Sequence, residues 1–392
     1  MLPPIICISN MEWDSFIPTN RQQLMRRFAQ RTRVAVVETP LPVLGSFIGH
    51  SKTRIRKRGW RRDGDVHVLQ AWDWIPYPLV RRSHALSRLT DGAFRRHITA
   101  AVRSLGWPAP IVWFYASDGG DLLGTFGECL SVYHCVDDYD ASARYTGFRR
   151  TAMYTEKKQE AALVRSADLV VVTAPHLAKR WGALNPHSHL LPNVADTELF
   201  SRALDAGPTH PLLATIPEPR IGYVGALDAY KVNYSLLADI ARLRPDVHVV
   251  CVGPVGVGDR TAQKDLPQLP NIHYVGYLPQ HELPAVLRGC LATIIPYNLN
   301  DYTAGVSPLK LYEYLAAGCP VVATPLPSLV AQSEGGVFLA QPQADAFAEA
   351  LDRAMALPRD ERRRNSERVM GHSWERRVDE LEALLMERLS AE

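Results

Sequence analysis

Several features that would settle the class of this 392-residue chain at once are missing from it. It has little charge of one sign. With 44 basic and 41 acidic residues the balance is +3, too even for a surface that binds nucleic acid throughout, so any basic contact must be local. Its six cysteines, at 7, 129, 135, 251, 290 and 319, form no CxxC and no zinc spacing. Thiols scattered in apolar strings read as reduced core packing, which points to a cytoplasmic protein. No basic segment leads the apolar run at the N-terminus, and the run is too short to be expected as a signal peptide. The longest uncharged stretch, Leu315 to Ser333, contains Gly318, Pro320, Pro325 and Pro327. It therefore breaks into helix end, turn, buried strand and loop and does not cross a bilayer as one helix. Internal repeats, HExxH and a Ser-His-Asp string are absent too. Gly253, Gly256 and Gly258 give GxxGxG after a strand, without the order of the dinucleotide fingerprint.

What is present is ordinary globular composition, 46% hydrophobic and 22% charged, in a chain long enough for two cores. Short apolar runs alternate with helical patterns, which argues for βα units and parallel sheets. Strands are expected at Pro4 to Ser9, Thr32 to Glu38, Pro110 to Tyr115, Leu130 to Cys135 and Leu169 to Thr173, with helices over Arg21 to Arg31 and Thr155 to Ser166. A break rich in proline and glycine runs from Ala203 to Pro219. A second series follows, with strands at Arg220 to Leu227, Val247 to Val252, Asn271 to Gly276, Leu291 to Tyr297 and Pro320 to Ala323. Helices are expected over Tyr234 to Leu243, Glu282 to Gly289, Pro308 to Ala317 and Ala344 to Leu357. Arg359 to Leu389 is charged and helical. Two such α/β units place a ligand cleft at the carboxyl ends of their strands.

The most informative string is Ser307-Pro-Leu-Lys-Leu-Tyr-Glu-Tyr-Leu-Ala-Ala-Gly-Cys-Pro-Val-Val-Ala-Thr324. Ser307 suits an N-cap, Pro308 a first helical position, and Gly318 with Pro320 a stop. Lys310 and Glu313, three apart, share one helix face. Amides and a lysine at a helix start suit a phosphate, and a carboxylate one turn on can accept from two ribose hydroxyls. An ordinary capped helix with an exposed Lys and Glu explains the same spacing.

This string resembles the donor-binding motif of GT-B-fold glycosyltransferases, particularly retaining members of family 4 that assemble polysaccharides and glycoconjugates. Leu191-Pro-Asn-Val-Ala-Asp-Thr-Glu-Leu-Phe200 is similar to the family's interdomain segment. Gly276-Tyr-Leu-Pro-Gln-His-Glu-Leu-Pro284, with Ile294-Ile-Pro296, is similar to the stretch bordering the nucleotide base. Ser9-Asn-Met-Glu-Trp-Asp14, with Arg21 downstream, resembles some members' N-terminal domains. The family's pair of glutamates is incomplete, because Glu313 matches the second but Gly305 stands at the first, the one that contacts the donor sugar. The family's Gly-Arg-Leu and Lys correspond to Gly225-Ala-Leu and Lys231.

The resemblance implies an α/β fold of two Rossmann-like domains facing across a cleft. Residues 1–205 would form an acceptor domain and 206–375 a nucleotide-sugar domain, with a helix over 376–392 packing back on the first. It implies transfer of a sugar from a nucleotide-diphosphate donor to a hydroxyl acceptor, with retention and without a required metal or other cofactor. His134, Lys231 and Lys310 are the catalytic candidates. Gly225, Tyr277, Ser307, Pro308, Leu309 and Glu313 are the donor-binding candidates, and Asp14, Arg21, Asp137 and Asp138 the acceptor-binding ones. His134 also reads as a core histidine. Asp137 and Asp138 close the polar end of a strand, where they also suit capping of the following helix. Asp138-Tyr-Asp140 and Asp63-Gly-Asp65 both spell DxD, a pattern cheap enough to carry no metal by itself. A GT-B epimerase or hydrolase, or a silent nucleotide-sugar binder, is the competing expectation.

Seven basic residues from Lys52 to Arg62 surround Ile55 and Trp60. They suit a solvated loop or an anionic membrane surface, with the protein cytoplasmic and peripheral. Nucleic acid is not expected as a partner.

Overall fold

The structure, a computed structural model, describes residues 2–9, 11–14, 19–38, 41–42, 59–70, 72–73, 84–138, 141, 150–256, 262–332 and 335–391. Near-continuous Val, Ile and Leu runs become strands buried on both faces, as parallel sheets demand. The first sheet contains β1 (Ile5–Ile8), β2 (Val34–Val37), β4 (Gly59–Asp63), β5 (Val66–Gln70), β7 (Ile111–Phe114), β8 (Leu130–Cys135), β9 (Leu169–Val172) and β10 (Ser188–Leu190). Their spatial order is β10-β9-β8-β7-β1-β2-β5-β4. All pair in parallel except β4, which forms an antiparallel hairpin with β5. Leu41–Pro42 (β3) and Trp72–Asp73 (β6) make a small separate pair.

The second sheet holds β11 (Arg220–Val224), β12 (His248–Val252), β13 (Ile272–Gly276), β14 (Ala292–Ile295), β15 (Val321–Ala323) and β16 (Val337–Leu339) in the order β13-β12-β11-β14-β15-β16. The chain winds outward one way and then restarts beside its first strand. Both sheets therefore have a switch point, between β1 and β7 in one and between β11 and β14 in the other. Ligands bind at the carboxyl ends there. This architecture is the GT-B fold.

One face of the first sheet packs on α1 (Asn20–Phe28), where Phe28 meets Trp113 at 5.6 Å between ring centres. The other face carries α2 (His84–Arg103), α3 (Arg150–Ser166) and α4 (Pro175–Gly182). In the second half α5 (Tyr234–Leu243), α6 (Lys310–Ala316) and α7 (Ala344–Met355) flank the sheet, followed by α8 (Arg359–Val369). The last helix, α9 (Trp374–Ala391), leaves that half and returns to the first. Trp374, Val378, Leu381 and Leu385 enter the first sheet's core. Arg27 pairs with Glu375 at 2.7 Å, and Arg31 with Asp379 and Glu382 at 2.6 Å each. Burying four apolar side chains, at about 1.5–3 kcal/mol each, outweighs the surface ion pairs in holding this strap.

Two local expectations are corrected. The chain at Gly59–Asp63 is a strand of the hairpin, not part of a solvated loop, and Asp63-Gly-Asp65 forms its turn end. Trp60 is half-buried against the core, and its indole N–H donates to the Ala101 carbonyl at 3.3 Å. It is thus not positioned as an interfacial anchor. Lys52, Arg54, Arg56, Lys57 and Arg58 lie outside the described residues. Among the described residues no helix is long and apolar enough to cross a membrane.

Candidate active site

At the second sheet's switch point the backbone itself forms a floor. Gly225 and Gly253 follow β11 and β12 with φ of +141° and +144°, a region that side chains rarely adopt. A Cβ on Gly253 would overlap the carbonyl of Gly225, and one on Gly225 would overlap the end of the Lys310 side chain. Lys310 therefore lies across bare backbone, its ammonium 5.6 Å from the centre of the Tyr223 ring. Burial pulls its pKa below the usual lysine value, and the charges of Glu313 and Asp228 oppose that pull. Burial pushes Glu313 up to about 7, against the attraction of Lys310. The pair is set one helical turn apart on α6, as the sequence spacing requires.

The start of that helix differs from expectation. It begins at Lys310, with Leu309 in the cap position and no side-chain cap bond. The Ser307 hydroxyl is used elsewhere, accepting the backbone N–H of Asn193 at 3.2 Å. Pro308 is buried, and Leu309 packs against the core of the first sheet. The segment 307–309 therefore leads into the helix with Leu309 already in helical geometry, and the capping signature in its sequence goes unused.

Lys231 approaches from the loop after β11. Its ammonium lies 6.0 Å from the centre of the Tyr297 ring and 5.7 Å from that of Tyr302. Amides fix this loop against the strand end opposite: Asn298 donates through its side chain to the Ala229 carbonyl and Asn300 to that of Tyr230, each at 2.9 Å. Asn300 also caps the short helix Asp301–Ala304, which presents Tyr302. Tyr302 lies beside the carboxyl of Asp137, which comes from the other half. Burial raises Asp137 to about 6, while the nearby Lys231 charge lowers it.

Gly305 sits against the same strand end. A Cβ there would lie 2.9 Å from the Asp138 Cβ, so the opposite half occupies the space a larger residue needs. Asp138 is buried and already paired: it meets Arg180 at 3.1 Å and His176 at 3.6 Å, and accepts the Ala141 N–H at 3.1 Å. Asp140 lies outside the described residues. Among the described residues no three His, Cys, Asp or Glu side chains are grouped to hold a metal ion.

The remaining expected residues are placed less favourably. His134 is 2% exposed and stacks on Tyr115 at 5.0 Å and against Trp113 at 5.7 Å. Neither ring nitrogen has a hydrogen-bond partner. Burial, then the Arg377 charge, lowers its pKa to about 3, so the ring is neutral and does not reach the cleft surface. Its core reading is the correct one. Arg21 is buried under the loop after β1, donating to the Ser9 hydroxyl and to the carbonyls of Met11 and Glu12. Asp14 is exposed and pairs with Arg61 at 3.2 Å, and Arg61 also meets Glu38 at 3.1 Å. Tyr277 is 44% exposed beyond β13, at the rim. Gly253 was read only as part of a GxxGxG string, and Asp228 was not singled out. A glycine directly after a strand, as at Gly225, was the available signal for the first of these.

Residues 218–356 match the family model described as glycosyl transferases group 1. Over 266 residues the chain is 30% identical to the putative teichuronic acid biosynthesis glycosyltransferase TuaH of Bacillus subtilis (strain 168), covering 64% of this chain and 65% of that protein. The sucrose-phosphate synthase of Thermosynechococcus elongatus superposes with a TM-score of 0.72 at 18% identity, covering 100% of both chains. Anabaena Alr3699/HepE, solved in complex with UDP and glucose, superposes with a TM-score of 0.66 at 14% identity, covering 97% of this chain and 99% of its own.

Proposed function

We propose that this chain, a GT-B-fold glycosyltransferase whose second half belongs to the glycosyl transferases group 1, transfers a sugar from a nucleotide-diphosphate sugar to a hydroxyl acceptor. One observation carries the reading: Lys310, laid across the glycine floor, and Glu313, one turn on, stand at the switch point with Lys231 on the facing loop. Glu313 would accept from the ribose diol, and Tyr277 would border the base. Lys310 and Lys231, with Gly225 and the amides of Ser307 and Leu309, would surround the diphosphate. Pro308 and Leu309 would shape the wall.

In the reaction the bond from the sugar's anomeric carbon to the diphosphate oxygen breaks, and a bond to the acceptor oxygen forms. The acceptor's proton passes to the departing diphosphate, so no side-chain base is needed; same-face attack with retention is what the resemblance to the family implies. The lysines then do their work where negative charge grows, which raises kcat more than it tightens ground-state binding. Their two charges serve in place of a divalent ion, so activity is expected to survive exhaustive chelation. Loss on chelation with rescue by manganese would contradict that. Asp137, facing Lys231 from the other half, is placed to meet sugar hydroxyls. Asp14, Asp138 and Arg21 line or brace the acceptor side, and His134 supports it from the core.

The acceptor's class is bound to the N-terminal half's other feature, the basic run. Lys52 to Arg58, with Arg62, would dock that half on an anionic membrane presenting a lipid-linked acceptor. The deciding assay is product formation with nucleotide sugars and candidate acceptors. A glycosylated acceptor supports transfer. Free sugar or an epimer without acceptor would indicate hydrolysis or epimerisation, and binding without turnover a silent binder.

A further inference from the structure

A buried line of amides runs from the first sheet to the segment that leads into Lys310 and its helix. The Tyr115 hydroxyl donates to the Asn20 side-chain carbonyl at 2.8 Å. Asn20 donates through its amide nitrogen to the Asn193 side-chain carbonyl at 2.7 Å. Asn193 donates through its own amide nitrogen to the Ser307 backbone carbonyl at 2.9 Å, and its backbone N–H reaches the Ser307 hydroxyl at 3.2 Å. Asn20, Asn193 and Ser307 are 7%, 8% and 5% exposed. Each amide in the series accepts on one side and donates on the other, so neither can flip without losing both bonds.

The line crosses from one half of the molecule to the other. Tyr115 follows β7, Asn20 opens α1, Asn193 lies in the connecting segment, and Ser307 stands three residues before Lys310. The neutral His134 ring, stacked at 25° to Tyr115, holds the phenol from behind. Because Ser307 is tied to Asn193, its hydroxyl does not cap α6, which fixes the approach of 307–309 to the first sheet.

We infer that Asn193 is a positioning residue: through the line Tyr115–Asn20–Asn193–Ser307, the N-terminal half sets the placement of the donor loop. This rests on the proposed nucleotide-sugar site at Lys310 and Glu313. It adds that the donor site is incomplete without the opposite half's amides, so the two halves are read as one unit by the donor.

The test compares Asn193→Asp, Asn193→Ala, Tyr115→Phe and the double variant Tyr115→Phe/Asn193→Ala. Asn193→Asp keeps the shape but turns an acceptor toward the Ser307 carbonyl. It is expected to weaken UDP or GDP binding about tenfold, the effect of one buried hydrogen bond and its unpaired partner. Tyr115→Phe, remote from the loop, should shift nucleotide affinity in the same direction by about threefold, and the double variant should be no worse than Asn193→Ala alone. Amide hydrogen exchange of the 305–311 segment is the second readout, independent of nucleotide. It should speed up in Tyr115→Phe with the melting temperature within a few degrees of wild type. Unchanged exchange of that segment in Asn193→Asp and Tyr115→Phe would overturn the inference, whether or not the wild type binds nucleotide. If the wild type binds no nucleotide while exchange responds, the donor-site reading fails and the positioning line stands.

Discussion

The molecule repeats one architecture twice and fills the two switch points differently. At the first, charged groups are matched by the protein: Arg21 by the loop carbonyls, Asp14 and Glu38 by Arg61, Asp138 by Arg180. At the second, Lys310 and Lys231 lie over aromatic rings, and among the described residues neither makes an ion pair with a carboxylate. Lys310 is half-buried, and the nearby charges of Glu313 and Asp228 favour its charged form without forming an ion pair. The contrast is between a first switch point whose charges are paired within the protein and a second whose lysines are left, on the proposed reading, for the ligand.

The strongest way to break this contrast is to remove the charge. Lys310→Ala should lower the transfer rate by about 100-fold or more, the usual effect of deleting a group that stabilises a leaving charge. Ligand-free stability should change little, because the lysine is half-buried and, among the described residues, makes no ion pair within hydrogen-bond reach. Lys231→Ala should slow transfer as well, and less than additively with Lys310→Ala if both face one diphosphate. Transfer at the wild-type rate in either variant would make that lysine ordinary surface.

A second change reaches the same lysine without touching it. Gly225→Ala places a methyl where the Lys310 side chain lies, at a backbone angle that alanine resists. Activity should fall by an intermediate factor, about tenfold to 100-fold, with a measurable drop in melting temperature. Full activity would show that the glycine floor is not used.

Glu313→Ala should weaken nucleotide binding by about 1–3 kcal/mol, as expected for hydrogen bonds to a charged group. Calorimetry with unchanged affinity would remove Glu313 from the site. The carboxyl also has a pH signature. Its folded value, about 7, lies above the ordinary 4.5, so the folded protein binds more protons than the unfolded chain between those values. Its contribution to ligand-free stability is therefore complete at low pH and is lost as pH rises through about 7. Chemical denaturation should show that fall in the wild type and a flatter profile in Glu313→Gln.

The smallest effect concerns the edge of the first half. Changing Arg54, Arg56, Arg58 and Arg62 to Gln should reduce sedimentation with anionic vesicles at low salt and leave neutral vesicles unaffected, since the attraction is screened within about a Debye length. Equal, weak sedimentation of both proteins on both vesicles would favour a soluble acceptor.

Most of the fold was legible because parallel strands leave continuous apolar runs, and Leu130 to Cys135 and Tyr234 to Leu243 have the expected limits. The β4–β5 hairpin was not, because Gly59-Trp-Arg-Arg-Asp reads as the end of a basic run and lacks the apolar run that marks the parallel strands. Lys310 and Glu313 were legible through helical spacing. Ser307 was misread because a capping signature cannot reveal that Asn193, 114 residues earlier, takes the hydroxyl. His134 was misread because the end of a strand was taken for its exposed edge, while the alternation of side chains turns this one inward beside Trp113 and Tyr115. Gly253 was half legible as a glycine directly after a strand, while its reason, the approach of the Gly225 carbonyl, shows only in the fold.

The most direct test is calorimetric titration of UDP, GDP and ADP into the wild type, Lys310→Ala and Glu313→Ala. One of the diphosphates should bind the wild type stoichiometrically and bind both variants at least about fivefold more weakly, each having lost a charge-assisted contact. Equal affinity in all three proteins, or no binding of any nucleotide to the wild type, would contradict the assignment of the second switch point as the donor site.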